Sequence, residues 1–276
     1  MISLDWKERL KKDSIDFYER KLPEKDYDID IVYNAYPQRI DNKIPQAVLN
    51  LVSKTIATKI AANADKYFDF FDYIDTKKGE NGKIIFVNLI AVACKKKPEL
   101  IFPYLEKKLS KINNQKEANH LMDKAIFPLV KDDPDTYLPK VLNWLKQTNP
   151  ILIIALEHLF IKLIKYDKSL IKKIFTKLES SWFSPTHELI LLNYRFLKQV
   201  YKLDKDFYLN VYYSYQNTRN PDFANILCEA IVCYDPIIEE MVNNWCKSGN
   251  IKLKRVGLHG QKVIKKYKKK AEKEDK

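Results

Sequence analysis

Tyr208, Tyr212, Tyr215 and Arg219 are spaced four, three and four apart, which puts them on one face of a helix that extends that far. Aromatic rings beside a guanidinium can stack on nucleobases and pair with phosphate. The same spacing suits amphipathic packing, with each ring in the core and its hydroxyl in water. A second set comprises Lys252, Lys254, Arg255, Lys262, Lys265, Lys266 and Lys268 to Lys270. It could grip a phosphate backbone without reading its sequence. It could equally be a solvated, solubilising end, and cations late in a helix also offset the helix dipole. Lys162, Lys165, Lys198 and Lys202 share that last use.

Other chemistry is sparse. Acid–base work could fall to Asp132, Asp133, Asp135 or Glu157, although Asp133 stands where a helix cap is expected. His120, His158, His187 and His259 form no HxxxH or HExxH pair, so no metal site is expected. His187-Glu188 reads as the solvated start of a helix. Asp26, Asp28 and Asp30 imitate the opening of a calcium loop. That reading fails, because loop position six is not glycine and Pro37 stands where the bidentate glutamate belongs. Gly79-Glu80-Asn81-Gly82 reads as the turn before a helix, not as a phosphate cradle. Cys94, Cys228, Cys233 and Cys246 lack CxxC spacing and read as reduced, buried thiols. No residue is assigned as catalytic, and no cofactor is expected.

These side chains must be positioned by helices. The 276 residues include only five glycines, too few for a fold rich in hairpins. With 46% apolar residues the chain can bury a core without disulfides or metals. Met1 to Asp13 is charged and has no signal-peptide core, and the apolar run Ile84–Cys94 is far short of the roughly 20 residues that span a bilayer. A cytoplasmic monomer with no membrane contact is expected. The net charge of +13 is uneven: Lys252 to Lys276 holds eleven Lys/Arg and three acids.

Helix starts recur at Lys66, Pro98, Pro134, Lys168, Lys205 and Pro236, separated by 32, 36, 34, 37 and 31 residues. Aspartate precedes five of the six, at 65, 133, 167, 204 and 235, as N-caps require, and proline at three suits the first helical position. A second register reads Asn149-Pro150, Ser184-Pro185 and Asn220-Pro221, with Gly82, Asn114 and Asn250 at the equivalent places. Each unit is thus a helix A, a short turn and a helix B. One pair cannot bury its apolar stripe, so neighbouring pairs must stack. The expectation is an all-α chain, an α-α superhelix or HEAT-like solenoid of about six helix pairs over residues 45–267. Residues 1–44 would be a capping helix (Asp5 to Leu22) and an irregular linker. Residues 268–276 would be a charged tail, with the end from Lys265 fraying.

The helix pairs resemble HEAT-like repeats. Tyr137-Leu138-Pro139-Lys140 and Trp245-x-x-Ser248-x-Asn250-x-x-Leu253-x-Arg255 locally resemble the AlkD-like DNA alkylation repair family. That resemblance implies a concave face that holds DNA and, in glycosylase members, an aspartate that works beside tryptophans to excise alkylated purines. Four residues after Trp6, Trp144, Trp182 and Trp245 stand Leu10, Thr148, Thr186 and Gly249, so no acid carries over. Three functions stay open: a noncatalytic HEAT-repeat protein on a nucleic-acid (DNA) backbone, an AlkD-like glycosylase for alkylated bases, and a scaffold holding a protein partner in an apolar or acidic concave groove.

Overall fold

A computed structural model describes residues 2–274. Among the described residues there is no strand, and the chain is helical nearly throughout. None of its helices is long and apolar enough to cross a membrane. The chain divides into two compact units, Met1–Leu138 and Pro139–Lys276. The division falls at Pro139, which donates no backbone hydrogen bond.

In the first unit α1 (Leu4–Asp16) continues through a π-turn (Phe17–Lys21). The short α2 (Asp30–Asn34) interrupts the expected linker. Lys78 holds this segment down by pairing with Asp28 at 2.5 Å and Asp30 at 2.8 Å, so two of the three would-be calcium ligands serve an ion pair. Then follow α3 (Gln46–Ile60), α4 (Phe68–Lys77), α5 (Gly79–Lys96) and α6 (Pro98–Ser110). Next, α7 (Gln115–Leu121) runs through a second π-turn into α8 (Phe127–Asp132), and α9 (Pro134–Asn143) crosses the division. Helix α5 lies against α3, α4 and α6. Ile56, Ile60, Phe70, Phe71, Phe86 and Ile90 are fully buried there, each stabilising the fold by roughly 1.5–3 kcal/mol. Asn88 ties α5 to α3 by donating to Asn50 Oδ1 (2.8 Å) and Ser53 Oγ (3.0 Å).

In the second unit α10 (Pro150–Tyr166), α12 (His187–Leu203), α14 (Pro221–Ala230) and α16 (Ile251–Glu274) pack each on the next. Between them come α11 (Leu170–Glu179), α13 (Lys205–Ser214) and α15 (Pro236–Cys246). Leu156, Leu159, Phe160, Phe196 and Trp182 form its core, and the Trp182 indole donates to the buried Asn193 Oδ1 at 2.7 Å.

Most expected starts coincide with the observed ones. Pro98, Pro134, Lys205 and Pro236 each open a helix, as do Pro150 and Pro221. Asp204, Asp235, Asn149 and Asn220 accept from first-turn amides, as do Asp133, Asn114 and Asn250. Three places differ. α4 begins two residues after Lys66, because a 3-10 stretch (Ala61–Tyr67) with non-helical Asn63 intervenes. α11 begins two residues after Lys168, and Asp167 accepts instead from the Ser169 amide at 2.8 Å. Ser184 takes φ 52 and caps nothing; Thr186 caps α12 by accepting from the Leu189 amide. The glycine turn also shifts: α5 already begins at Gly79, whose φ of 58 lets the chain reverse directly out of α4. At the C-terminal end α16 runs on past Lys265 to Glu274. Asp275 and Lys276 of the expected tail lie outside the described residues.

Candidate nucleic-acid interface

Helix α16 has two unlike faces. Leu253, Gly257, Gly260 and Ile264, spaced four, three and four apart, are buried. Gly257 lets backbone approach backbone, since a Cβ there would stand 2.5 Å from the Cys246 nitrogen, and Gly260 makes room for the Val242 side chain, which would stand 3.1 Å from a Cβ. The opposite face is cationic. Lys252, Lys254, Arg255, Lys262, Lys265 and Lys266 are all exposed on it. Lys269, Lys270 and Lys273 extend it, and Glu272 at its margin is the one exposed acid of that helix whose side chain is described. Ile251 (70% exposed) and Leu258 (49%) lie among these cations.

Lys268, expected within the same set, has a structural post. It donates to both Glu239 oxygens at 3.0 Å and stands 5.0 Å over the Tyr234 ring. The Glu239 carboxyl is held below its ordinary range by that lysine and by the Tyr234 hydroxyl. At the start of α16, Arg219, Lys247 and Ser248 line a polar cleft of about 650 Å³. Asn250 closes the helix end there by accepting from the Lys252 and Leu253 amides.

The tyrosines do not belong to this surface. Tyr208 and Tyr212 are fully buried, so they cannot stack on a base. Nor do their hydroxyls reach water: Tyr212 donates to Leu227 O at 2.8 Å, and Tyr208 lies 3.0 Å from Ala230 O. Burial drives both phenols well above their ordinary pKa. Helix α13 ends at Ser214, so Tyr215 and Arg219 leave the expected face. Tyr215 donates to Glu179 Oε1 at 2.6 Å beside the Trp182 ring, while Arg219 stays exposed.

The acid–base candidates are similarly engaged or exposed. Glu157 faces Arg195, whose Nη1 lies 3.2 and 3.1 Å from its two oxygens; its carboxyl is nonetheless raised, by burial, against the pull of Arg195. Asp133 caps α9, and Asp132 and Asp135 sit on the open surface. Trp144, Trp182 and Trp245 are buried, and Trp6 packs under Arg9 and against the edge of Tyr36. Among the described residues no cluster of three His, Cys, Asp or Glu could hold a metal. All four thiols are free, and burial pushes those of Cys94 and Cys228 up to about 12.

One constellation escaped sequence reasoning. In the first unit Asp75 and Glu117 come within hydrogen-bonding reach of each other, with Lys108 on Asp75 and Lys83 on Glu117. The available signals were Asn114-x-x-Glu117, a cap with an acid three residues on, and the i, i+3 pair Asp72 and Asp75. Neither signal joins the two acids to one another. No family model, curated protein or solved structure matches the chain.

Proposed function

We propose that this chain is a noncatalytic HEAT-like repeat protein that binds the phosphate backbone of nucleic acid, DNA foremost, through α16 and the cleft at its start. The observation that carries this reading is the outer face of α16, where nine exposed lysines and arginines are accompanied, among the residues whose side chains are described, by one exposed acid, Glu272. From Lys252 to Lys273 the stripe runs about 32 Å at 1.5 Å per residue, close to one turn of B-form DNA. Duplex DNA presents about one phosphate charge per 1.7 Å of axis, so such a stripe meets several phosphates at once. Flexible lysines supply charge without bidentate base contacts, which favours binding that is indifferent to sequence. Arg219 and Lys247 would extend the contact past the helix start.

The HEAT-like superhelix is part of the proposal. It is supported, in the second unit, by the packing of α10, α12, α14 and α16 each on the next. The noncatalytic part is supported by the burial of Trp144, Trp182 and Trp245, which removes them from any flipped base. Fluorescence anisotropy of a labelled duplex across a salt series tests the binding. Engagement of about half the stripe gives a log–log slope near −4. A flat salt dependence, or no binding at low salt, refutes it. Equal binding of an acidic protein would turn the reading toward a scaffold.

A further inference from the structure

The first unit holds a cleft of about 640 Å³, well within the size of small-molecule sites. Helix α4 supplies Asp72 and Asp75 to it, α5 Lys83, α6 Tyr104 and Lys108, and α7 Glu117. Lys83 pairs with Glu117, and Lys108 with Asp75 Oδ2 and, at 3.4 Å, with Asp72. The Tyr104 hydroxyl donates to Asp72 at 2.8 Å. Within these contacts three carboxylates face two ammonium groups, and two further lysines, Lys107 and Lys111, line the same cleft. The Asp75 side chain is only 8% exposed, yet its Oδ1 receives no hydrogen bond from any N–H or O–H donor. A buried acceptor in that condition is costly unless a donor reaches it.

The rim has the opposite character. Lys107 on α6 and Lys111, the residue just past its end, are exposed and form no ion pair with the described residues. An anion alone would meet Asp75 on the floor and the exposed Asp72 beside it, and a cation alone would pass the rim lysines. A molecule carrying both charges satisfies the two ends together.

We propose that this cleft binds a small zwitterion, its primary ammonium head entering between Asp72 and Asp75 and its anionic tail, carboxylate or phosphate, resting on Lys107 and Lys111. The site stands apart from the nucleic-acid reading, which concerns the second unit. Burial raises the nearby Glu117 carboxyl above its usual range, and Asp75 raises it further, against the pull of Lys83.

Calorimetry on the full chain tests this with two probes, 5-aminopentanoate for a carboxylate tail and O-phosphoethanolamine for a phosphate tail. Each is paired with its N-acetyl derivative. At least one free amine saturates the protein, and its acetylated partner binds at least roughly tenfold more weakly. Asp75→Asn lowers affinity by roughly tenfold or more. The exposed double variant Lys107→Gln/Lys111→Gln weakens the zwitterions while leaving n-butylamine unchanged, so the idea stays testable if the Asp75 variant fails to fold. No saturation by either probe up to about 10 mM overturns it, as does equal binding of the acetylated forms.

Discussion

A helix leaves its last four carbonyls without partners inside the helix. In α14 they belong to residues 227–230, and two of them are served by α13. The Tyr212 hydroxyl donates to Leu227 O at 2.8 Å. Tyr208 Oη stands 3.0 Å from both Ala230 O and Tyr212 Oη, so its single proton serves one or the other. Tyr212→Phe keeps the ring and removes one donor and one acceptor. Leu227 O then lies buried without this donor, at a cost of about 1–3 kcal/mol, and Tyr208 can turn its proton wholly to Ala230. Tyr208→Phe deprives only Ala230 O and costs about 1 kcal/mol. Because the hydroxyls touch, the double variant should depart from the sum of the single ones by about 0.5 kcal/mol or more. Urea denaturation gives the free energies, and thermal melting should fall by roughly 2–4 °C per kcal/mol. Duplex affinity, measured well below the melting temperature, should not move. Unchanged melting with weakened duplex binding would refute the buried-cap reasoning and return the tyrosines to a ligand surface.

On α16, the triple change Lys262→Gln/Lys265→Gln/Lys266→Gln should make the salt dependence of duplex binding shallower by about 2–3 in log–log slope, because each lost phosphate contact removes about 0.9; anisotropy reads this directly. Gly257→Ala should destabilise by about 1–3 kcal/mol in urea, although alanine is the better helix former, because its methyl meets the backbone of Trp245 and Cys246 at 2.8 and 2.5 Å. Glu117 is raised from 4.5, so between that pH and its folded value the native state binds the extra proton. Its contribution to stability is then full below 4.5 and is lost as pH rises through the folded value; in urea melts across a pH series, Glu117→Gln should remove this decline. Incubation with alkylated duplex should release no free purine, as judged by chromatography.

Capping is local chemistry, and what depended on it was legible. Asp204, Asp235, Asn149 and Asn220 meet amides two or three residues away, so their roles could be read in the chain itself. The Ser184 assignment failed for a related reason: Thr186, two residues on, competes for the cap, and Pro185 does not say which of the two wins. The cationic stripe was legible too, since eleven Lys/Arg stand against three acids between Lys252 and Lys276. Burial of Tyr208 and Tyr212 was not. Helical spacing puts residues on one face but does not say which faces meet, and their partners Ala230 and Leu227 lie 22 and 15 residues away. Asp75 and Glu117 were less visible still: each alone resembles a surface acid, and only the folding of α4 against α5 and of α5 against α7 brings them together.

The seat of α16 has a consequence for how this protein can vary. Its apolar seat against α14 and α15 is formed by Leu253, Ile264 and two glycines, with Gln261 donating to Asn243 and His259 lying 3.3 Å from Glu229 beside them. The exposed cations project from the far side, and Lys268 is the one of the set paired into the seat. Attachment and charge are therefore written largely in different positions. Lysines can be added, removed or acetylated one at a time while the melting temperature holds still, so affinity for an anionic polymer can be graded smoothly, without the fold setting a threshold.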